Sequence, residues 1–179
     1  MRHWRTFLDR VREDLSTVDL AGPFDKEHEL TKAIALRVRS VFAKENGIPY
    51  DSLQLHHHVV YRNGDVEEDH KAWHAAQRDK WIALYGLNFV PDVMIRTLDD
   101  SPQILPIEVK LVRDEAWSSD LSKAIGQSLI YSLAYRQSIA FIGVQRSLKV
   151  NLAGQPDDKR LTSALEGLGI SLILREVGT

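Results

Sequence analysis

The chain of 179 residues contains no cysteine. That absence excludes a disulfide framework, a thiolate zinc site and a cysteine-ligated iron–sulfur cluster. No run of apolar residues approaches the roughly 18 that a membrane-spanning helix needs. Residues 1–5 lack the apolar segment of a secretory signal. We therefore expect a cytoplasmic protein with no membrane partner.

Three short signatures of common enzyme classes are also missing. No G-x-S-x-G turn is present, which argues against acyl transfer by a serine nucleophile. Neither a G-x-x-x-x-G-K-[ST] loop nor a G-x-G-x-x-G loop is present, which argues against nucleotide-driven and dinucleotide chemistry. The net charge of -2 gives no global attraction for nucleic acid. An enzyme acting on nucleic acid would therefore need a local basic surface around its site.

The composition and patterning that are present favour one globular α/β domain. Hydrophobic residues make up 44% and charged residues 27% of the chain, and the length suits a single domain over residues 1–179. The periodicity predicts the order helix, helix, strand, inserted helix, strand, strand, helix, strand, helix, strand. A strand-helix-strand crossover after a hairpin implies a mixed β-sheet flanked by helices.

Several segments can be assigned individually. Beyond an amphipathic helix within the first twenty residues, helices are predicted at about 26–44, 71–85, 119–136 and 157–168, and strands at about 53–61, 138–144 and 170–174. The helix over 119–136 is expected to pack through an apolar stripe, which is Leu121, Ile125, Leu129 and Leu133.

One apolar segment carries two charges. In residues 104–112, a predicted strand, Glu108 and Lys110 project to one face because side chains alternate along a strand. Burying an acid and a base there is costly unless they are paired or ligate a metal. If the Asp- and Pro-containing segment 98–102 closes a hairpin centred near residue 100, Asp92 lies directly opposite Glu108.

An opposed carboxylate pair predicts metal-assisted hydrolysis. Cβ atoms of facing residues are about 5 Å apart, so the two carboxylates repel each other and a divalent cation would relieve the repulsion. Mg²⁺ prefers oxygen ligands and lowers the pKa of a bound water. Lys110 could position that water, help to deprotonate it or stabilise the transition state. The alternative is a structural carboxylate pair with a salt-bridged lysine.

These residues resemble a known signature. Pro91-Asp92 followed by Glu108-Val109-Lys110 is similar to the PD-(D/E)xK nuclease motif, and Gln127 with Tyr131 resembles the Q-x-x-x-Y helix motif of its RecB-like branch. The resemblance covers about residues 25–145. It implies a restriction-endonuclease-like core in the order helix, strand, strand, strand, helix, strand (αβββαβ). The element order predicted from the residues matches this core except for a helical insertion at about 62–88, and it adds an N-terminal helix and a C-terminal helix-strand extension.

The resemblance also implies a function and its residues. The chain would be a metal-dependent nuclease, a hydrolase of phosphodiester bonds in DNA, using Mg²⁺ or Mn²⁺. Asp92, Glu108, the Val109 carbonyl and a helix acid would hold the metal, with Glu27 preferred over Glu29 as that acid. The implied catalytic residues are Asp92, Glu108, Lys110, Glu27, Gln127 and Tyr131. Lys110 would act on the attacking water, while Gln127 and Tyr131 would support the lysine or contact the phosphate backbone.

Other possibilities stay open from the sequence. The same fold could serve as a non-catalytic or partner-activated nucleic-acid-binding subunit of a larger defence, repair or transposition complex. The sequence does not distinguish endonuclease from exonuclease action. It also does not show whether the chain forms a homodimer. The histidines at 56–58 are interpreted as structural or close to the substrate, because His57 faces away from the other two and a closed metal site would need a third ligand from elsewhere. The pair His70 and His74 is interpreted as structural, because no H-E-x-x-H motif accompanies it.

Overall fold

A computed structural model describes residues 2–20, 22–79, 82–84, 87–98, 103–113, 117–148 and 156–178. Its helices are α1 Arg2–Thr17, α2 Glu27–Asn46, α3 Leu53–His58, α4 Glu67–Asp79, α5 Trp117–Tyr135 and α6 Pro156–Gly167. Its strands are β1 Val59–Tyr61, β2 Ile82–Leu84, β3 Leu87–Phe89, β4 Val93–Arg96, β5 Ile104–Val112, β6 Ser138–Gln145 and β7 Ile170–Val177. None of the helices in these ranges is long and apolar enough to cross a membrane.

Five strands form one mixed sheet in the order β1-β4-β5-β6-β7. Strands β1, β4 and β5 pair antiparallel, whereas β5, β6 and β7 pair parallel. Parallel neighbours need a crossover, and α5 and α6 supply the two crossovers. Strands β2 and β3 form a separate hairpin. The described chain is thus an α/β protein with a five-stranded mixed sheet flanked by six helices. The mixed sheet and its flanking helices are as predicted, but the sequence predicted five helices.

The predicted hairpin register between β4 and β5 is confirmed. Val93 pairs with Ile107 and Met94 pairs with Pro106, so facing residues are equidistant from residue 100. One face of the sheet packs on α1 and α2, and Ile107 and Val109 point into that core. Burying an aliphatic side chain of this size contributes roughly 1.5–3 kcal/mol. The even-numbered residues of β5 consequently face the side covered by α5.

The prediction of one strand over 53–61 is wrong in its first part. Residues 53–58 form α3, and only Val59–Tyr61 is strand. The Ser52 side chain accepts a hydrogen bond from the Gln54 backbone N–H at 3.2 Å, which caps the helix. Leu55 is the buried anchor of this short helix. A serine cap followed by residues without β-branching was the overlooked signal.

The inserted helix lies earlier than predicted. It spans Glu67–Asp79 instead of 71–85, and its first turn contains three acids, Glu67, Glu68 and Asp69, which the positive end of a helix favours. The chain then enters β2. Residues 80, 81 and 85 of the predicted helix lie outside the described residues. The insertion is therefore a helix followed by a β-hairpin.

Helix α5 has the predicted position but a different buried face. Leu133 is 80% exposed and Leu129 is also exposed, so the predicted stripe is wrong in its second half, whereas Leu121 and Ile125 are half-buried and pack against the core as predicted. The buried residues are Ala124, Ser128, Tyr131 and Ser132. Three of them are small, which allows α5 to lie close to β5 and β6. That close approach brings the one large buried side chain, Tyr131, to the sheet surface.

A buried ionic network ties the insertion to the edge of the sheet. Arg39 of α2 donates from Nε and Nη2 to the Val59 carbonyl at 3.1 and 2.9 Å and also pairs with Asp69 of α4. Asp69 is further hydrogen-bonded by the His56 ring and, at 3.1 Å, by the Tyr61 hydroxyl. Burial raises the pKa of Asp69, but the hydrogen bonds from Arg39 and His56 outweigh it, so the pKa is lowered.

The turn before α4 is packed tightly against this network. A Cβ atom added to Gly64 would lie 2.1 Å from the Cβ of Asp69, so this position accommodates only glycine. Because β1 is an edge strand, the bonds from Arg39 to the Val59 carbonyl also cover an otherwise open edge. The network fixes the start of the insertion next to the last residue of β1.

Candidate active site

Asp92 is held by backbone groups of two neighbouring strands. Its Oδ2 accepts a hydrogen bond from the Val109 N–H at 2.9 Å, and its carbonyl accepts one from the Arg62 N–H at 2.9 Å. The residue immediately precedes β4 and is 4% exposed. Since the N–H and C=O of a strand residue lie on the same edge, the Val109 carbonyl faces the same side as Asp92. A carboxylate and a carbonyl oxygen are thereby brought to one place.

Val93 pairs with Ile107, so continuing the β4–β5 register by one residue places Glu108 opposite Asp92. Both carboxylate oxygens of Glu108 have partners. Oε1 is 2.9 Å from Lys110 Nζ, and Oε2 accepts a hydrogen bond from the Tyr131 hydroxyl at 3.2 Å. Glu108 is 1% exposed and Tyr131 is fully buried. The acid therefore faces α5, with the lysine on its own strand and the tyrosine on the helix as partners.

Glu27 reaches the site from the first turn of α2. Its Oε1 lies 3.2 Å from Lys110 Nζ, and the side chain is 44% exposed. Helix α2 can approach the sheet closely here because Gly143 of β6 has no side chain. A Cβ atom at Gly143 would lie 2.6 Å from Leu30, one turn after Glu27. The lysine is thus held between a buried acid and a solvent-accessible one.

Glu29, the other candidate helix acid, has a different task. Its Oε2 accepts hydrogen bonds from the backbone N–H groups of Asp25 at 2.7 Å and Lys26 at 3.1 Å, and these bonds lower its pKa. It forms the capping box of α2. Glu27, which the sequence favours, is the acid that the structure brings to Lys110.

Gln127 is the one candidate catalytic residue without a bond in the site. It is half-buried one turn before Tyr131 on α5. Within the described ranges it makes no hydrogen bond to either acid or to the lysine. Five of the six candidate residues are therefore joined by direct contacts or a shared backbone, and Gln127 lies beside them.

The charges of the site are unbalanced. Burial, followed by the charge of Asp92, raises the pKa of Glu108 to about 7, and burial likewise raises that of Asp92. Burial lowers the pKa of Lys110, but the charges of Glu108 and Asp92 outweigh it and the pKa is raised. Three carboxylates, including Glu27, thus lie near two positive groups, the Lys110 ammonium and the Arg62 guanidinium, which is 3.8 Å from Asp92. A proton on Glu108 or a bound cation would relieve the excess negative charge.

The oxygen ligands of the site suit Mg²⁺ better than a metal that takes all of its ligands from the protein. Among the described residues, no three His, Asp or Glu side chains are grouped to hold an ion, and Glu27 contacts the lysine rather than the two acids. Asp92, Glu108 and the Val109 carbonyl offer oxygen ligands, and Mg²⁺ usually keeps several waters. The residues present fit such an ion with two carboxylate ligands.

No protein-family model matches this chain, and neither a curated protein nor a solved structure was found that is significantly similar to it. The geometry of the residues is therefore what supports a function.

One residue at the site, Arg62, was missed from the sequence. Its Nη1 lies 3.8 Å from Asp92 Oδ1. The available signal was its place directly before Asn63-Gly64 at the end of a strand. The histidines lie elsewhere. His56 forms a hydrogen bond with Asp69, and His58 Nδ1 donates to the Arg96 carbonyl at 3.2 Å. The exposed His70 and His74 rings stack 6.5 Å apart.

Replacing Tyr131 by phenylalanine should weaken both stability and metal binding. The change removes the donor to Glu108 Oε2 and leaves a buried acceptor unpaired, which costs about 1–3 kcal/mol. Because that hydrogen bond lowers the pKa of Glu108, its loss raises the pH at which the acid ionises. Urea unfolding and Mn²⁺ binding at several pH values check this, with Tyr50→Phe as an exposed control. Equal effects of both changes would contradict it.

Without metal, the native state should become less stable as the pH rises from about 4.5 to 7. The pKa of Glu108 is raised from 4.5 to about 7 in the folded state, so the folded chain binds the proton more tightly than the unfolded one. That stabilisation is complete below the unfolded pKa and is lost through the folded pKa, by on the order of 2–4 kcal/mol. Urea unfolding in EDTA measures the loss.

Mg²⁺ should restore this stability at pH 8 and have little effect at pH 5, where Glu108 is protonated. Glu108→Gln is the control, because residue 108 can then no longer ionise and the part of the loss and recovery that comes from Glu108 should be absent, while the part from Asp92, whose pKa is also raised, should remain. The same pH profile in the native chain and in the variant would show that Glu108 does not titrate in this way.

Proposed function

We propose that this chain is a metal-dependent nuclease that hydrolyses phosphodiester bonds, with DNA as its substrate class. The observation that carries the proposal is the pair of buried, facing carboxylates, Asp92 and Glu108, with Lys110 on the same strand face. A non-catalytic sheet would gain nothing from an acid pair whose pKa values are both raised. The resemblance to PD-(D/E)xK nucleases gives DNA as the substrate.

The order of elements also supports the proposal. Taken without α3 and the α4–β2–β3 insertion, the elements α2, β1, β4, β5, α5 and β6 follow the order αβββαβ. We propose on this basis a restriction-endonuclease-like core, extended by α1 at one end and by α6 and β7 at the other. In that arrangement the two acids come from adjacent strands and the tyrosine comes from the helix after them.

Asp92, Glu108 and the Val109 carbonyl would hold Mg²⁺, with Mn²⁺ as a substitute. When bound there, the ion would lower the pKa of a water and offset phosphate charge. Lys110 is charged at neutral pH because its pKa is raised, so in the metal-free chain it is a donor rather than a base. It orients the water and stabilises the charge developing on the phosphate oxygens. Glu27 and Glu108 fix the position of its ammonium group.

Exposure determines the side from which the substrate reaches these groups. Both acids are buried, whereas Glu27 and Arg62 are about half-exposed. The phosphate therefore approaches at the N-terminal end of α2, next to the last residue of β1. Hydrolysis there joins the water oxygen to phosphorus and breaks one phosphorus–ester oxygen bond. The departing oxygen takes up a proton, and the water loses one to solvent.

The test is cleavage of single-stranded, double-stranded and branched DNA, and of RNA, in Mg²⁺, Mn²⁺ or EDTA. We expect cleavage that requires metal and is lost in Glu108→Gln but kept in Glu166→Gln, an exposed glutamate paired with Arg12. No cleavage of any substrate, or equal cleavage by the two variants, would overturn the proposal. Metal-independent binding without cleavage would favour the binding-subunit alternative. Cleavage that appears only with an added partner would favour the partner-activated one.

A further inference from the structure

Arg62 is fixed beside Asp92 by the backbone. It is the first residue after β1, and its N–H donates to the Asp92 carbonyl at 2.9 Å. Asn63, the next residue, has φ 60°, a left-handed conformation that asparagine tolerates, so the chain turns away directly afterwards. The arginine side chain therefore starts from a defined point at the edge of the acid pair.

The guanidinium donors of Arg62 form no hydrogen bond within the described part of the chain. Nη1 lies 3.8 Å from Asp92 Oδ1, which is within ion-pair range but too long for a hydrogen bond. In the part of the chain that the structure describes, no acceptor lies within hydrogen-bond distance of this group, and the side chain is 52% exposed. By contrast, the ion pair of Arg37 with Asp14 is bidentate, at 2.6 and 2.5 Å. Arg62 is thus not committed to Asp92 as a structural partner.

A cation on Asp92 would change the balance of charge around Arg62. The carboxylate would then be shared with the metal, and the guanidinium would face a second positive charge at close range. An anion placed between the metal and the arginine relieves that repulsion, and the fork of an arginine matches the oxygens of a phosphate. Since Arg62 lies at the exposed side of the acids, a phosphodiester can reach it.

We propose that Arg62 is a substrate-binding residue that holds a phosphate of the nucleic-acid strand next to the acid pair. This inference rests on the proposed nuclease function, and it adds a residue outside the acid, lysine, glutamine and tyrosine set. The competing explanation is that Arg62 acts only as a charge partner that keeps Asp92 ionised. In that case its loss would weaken metal binding and leave the phosphate contacts unchanged.

The test uses Arg62→Gln, the conservative Arg62→Lys and the control Arg10→Gln. Arg10 is 53% exposed and pairs with Glu45 near the opposite end of α2. Binding of a labelled DNA oligonucleotide is measured in Ca²⁺ and in EDTA over a series of salt concentrations, Mn²⁺ binding is measured separately, and cleavage is assayed in Mg²⁺.

We expect Arg62→Gln to weaken oligonucleotide binding in Ca²⁺ by about 10-fold or more. The slope of log affinity against log salt should shrink by about 0.7–0.9, the loss of one phosphate contact. Mn²⁺ binding should be unchanged or tighter, because a positive charge is removed. Arg62→Lys should keep most of the salt slope but lose part of the affinity, and Arg10→Gln should match the native chain.

The outcomes separate this inference from the proposed function. If the native chain cleaves DNA but Arg62→Gln binds it like Arg10→Gln, or if Arg62→Gln loses Mn²⁺ binding, the role of Arg62 is overturned and the nuclease stands. If binding depends on Arg62 but no cleavage occurs, the phosphate contact stands and the nuclease is rejected. If the native chain neither binds nor cleaves nucleic acid, both are overturned.

Discussion

Replacing Lys110 by methionine is expected to lower the rate of metal-dependent phosphodiester cleavage by about 10²–10⁴-fold. Methionine has a similar length but no charge, so the water and the developing charge on the phosphate lose their donor. In the native chain the ammonium is held 2.9 Å from Glu108 and 3.2 Å from Glu27. The loss should fall mainly on kcat, because the interaction strengthens in the transition state. Steady-state kinetics on an oligonucleotide substrate measures it.

Two further variants serve as controls for this prediction. Lys71→Met changes an exposed lysine of α4, which pairs with Glu67, and should leave the rate unchanged. Lys110→Arg keeps the charge and should retain part of the activity. If Lys110→Met unfolds because the two acids lose their partner, urea unfolding will show it, and Mg²⁺ should restore the fold. A folded Lys110→Met variant with the native rate would mean that the lysine is only a salt-bridge partner.

Replacing Arg39 by methionine is expected to lower the free energy of unfolding by about 3–5 kcal/mol. Asp69, 3% exposed, would lose its strongest partner, and the Val59 carbonyl would lose both of its donors. The loss is a large part of the roughly 5–15 kcal/mol that stabilises a typical domain. Because the network also anchors the start of α4, the insertion should exchange its amide hydrogens faster.

A matched control lies on the same helix. Arg37 forms an ion pair with Asp14 at the surface, and Arg37→Met should cost at most about 1 kcal/mol, because exposed pairs contribute little. Urea unfolding of both variants gives the comparison. An equal loss in the two would show that the buried network contributes no more to stability than a surface pair.

The parts of the fold that follow from local pattern could be predicted. The hairpin register was accessible because the turn residues and the alternation in β5 both place its centre near residue 100. The face of α5 was not, because Ser128 and Ser132 are buried by close packing on the sheet while Leu133 is left exposed. Hydrophobicity along one helix does not report how near a neighbouring sheet lies.

The candidate site likewise has residues that follow from local pattern and residues that depend on packing between distant elements. Asp92, Glu108 and Lys110 follow from strand alternation and the hairpin, both of which are local. The choice between Glu27 and Glu29 depends on where α2 meets the sheet, and Arg62 depends on the pairing of β1 with β4. Contacts between elements that are distant in sequence need the folded arrangement to become visible.

The most direct test of the central claim is Mn²⁺ binding to the native chain at pH 8, followed by electron paramagnetic resonance, beside Asp92→Asn. The acid pair predicts saturable binding that is lost in the variant and that also falls in the native chain at pH 5, as Glu108 takes up a proton. No saturable binding by the native chain, or equal binding by the variant, would contradict a metal site at Asp92 and Glu108.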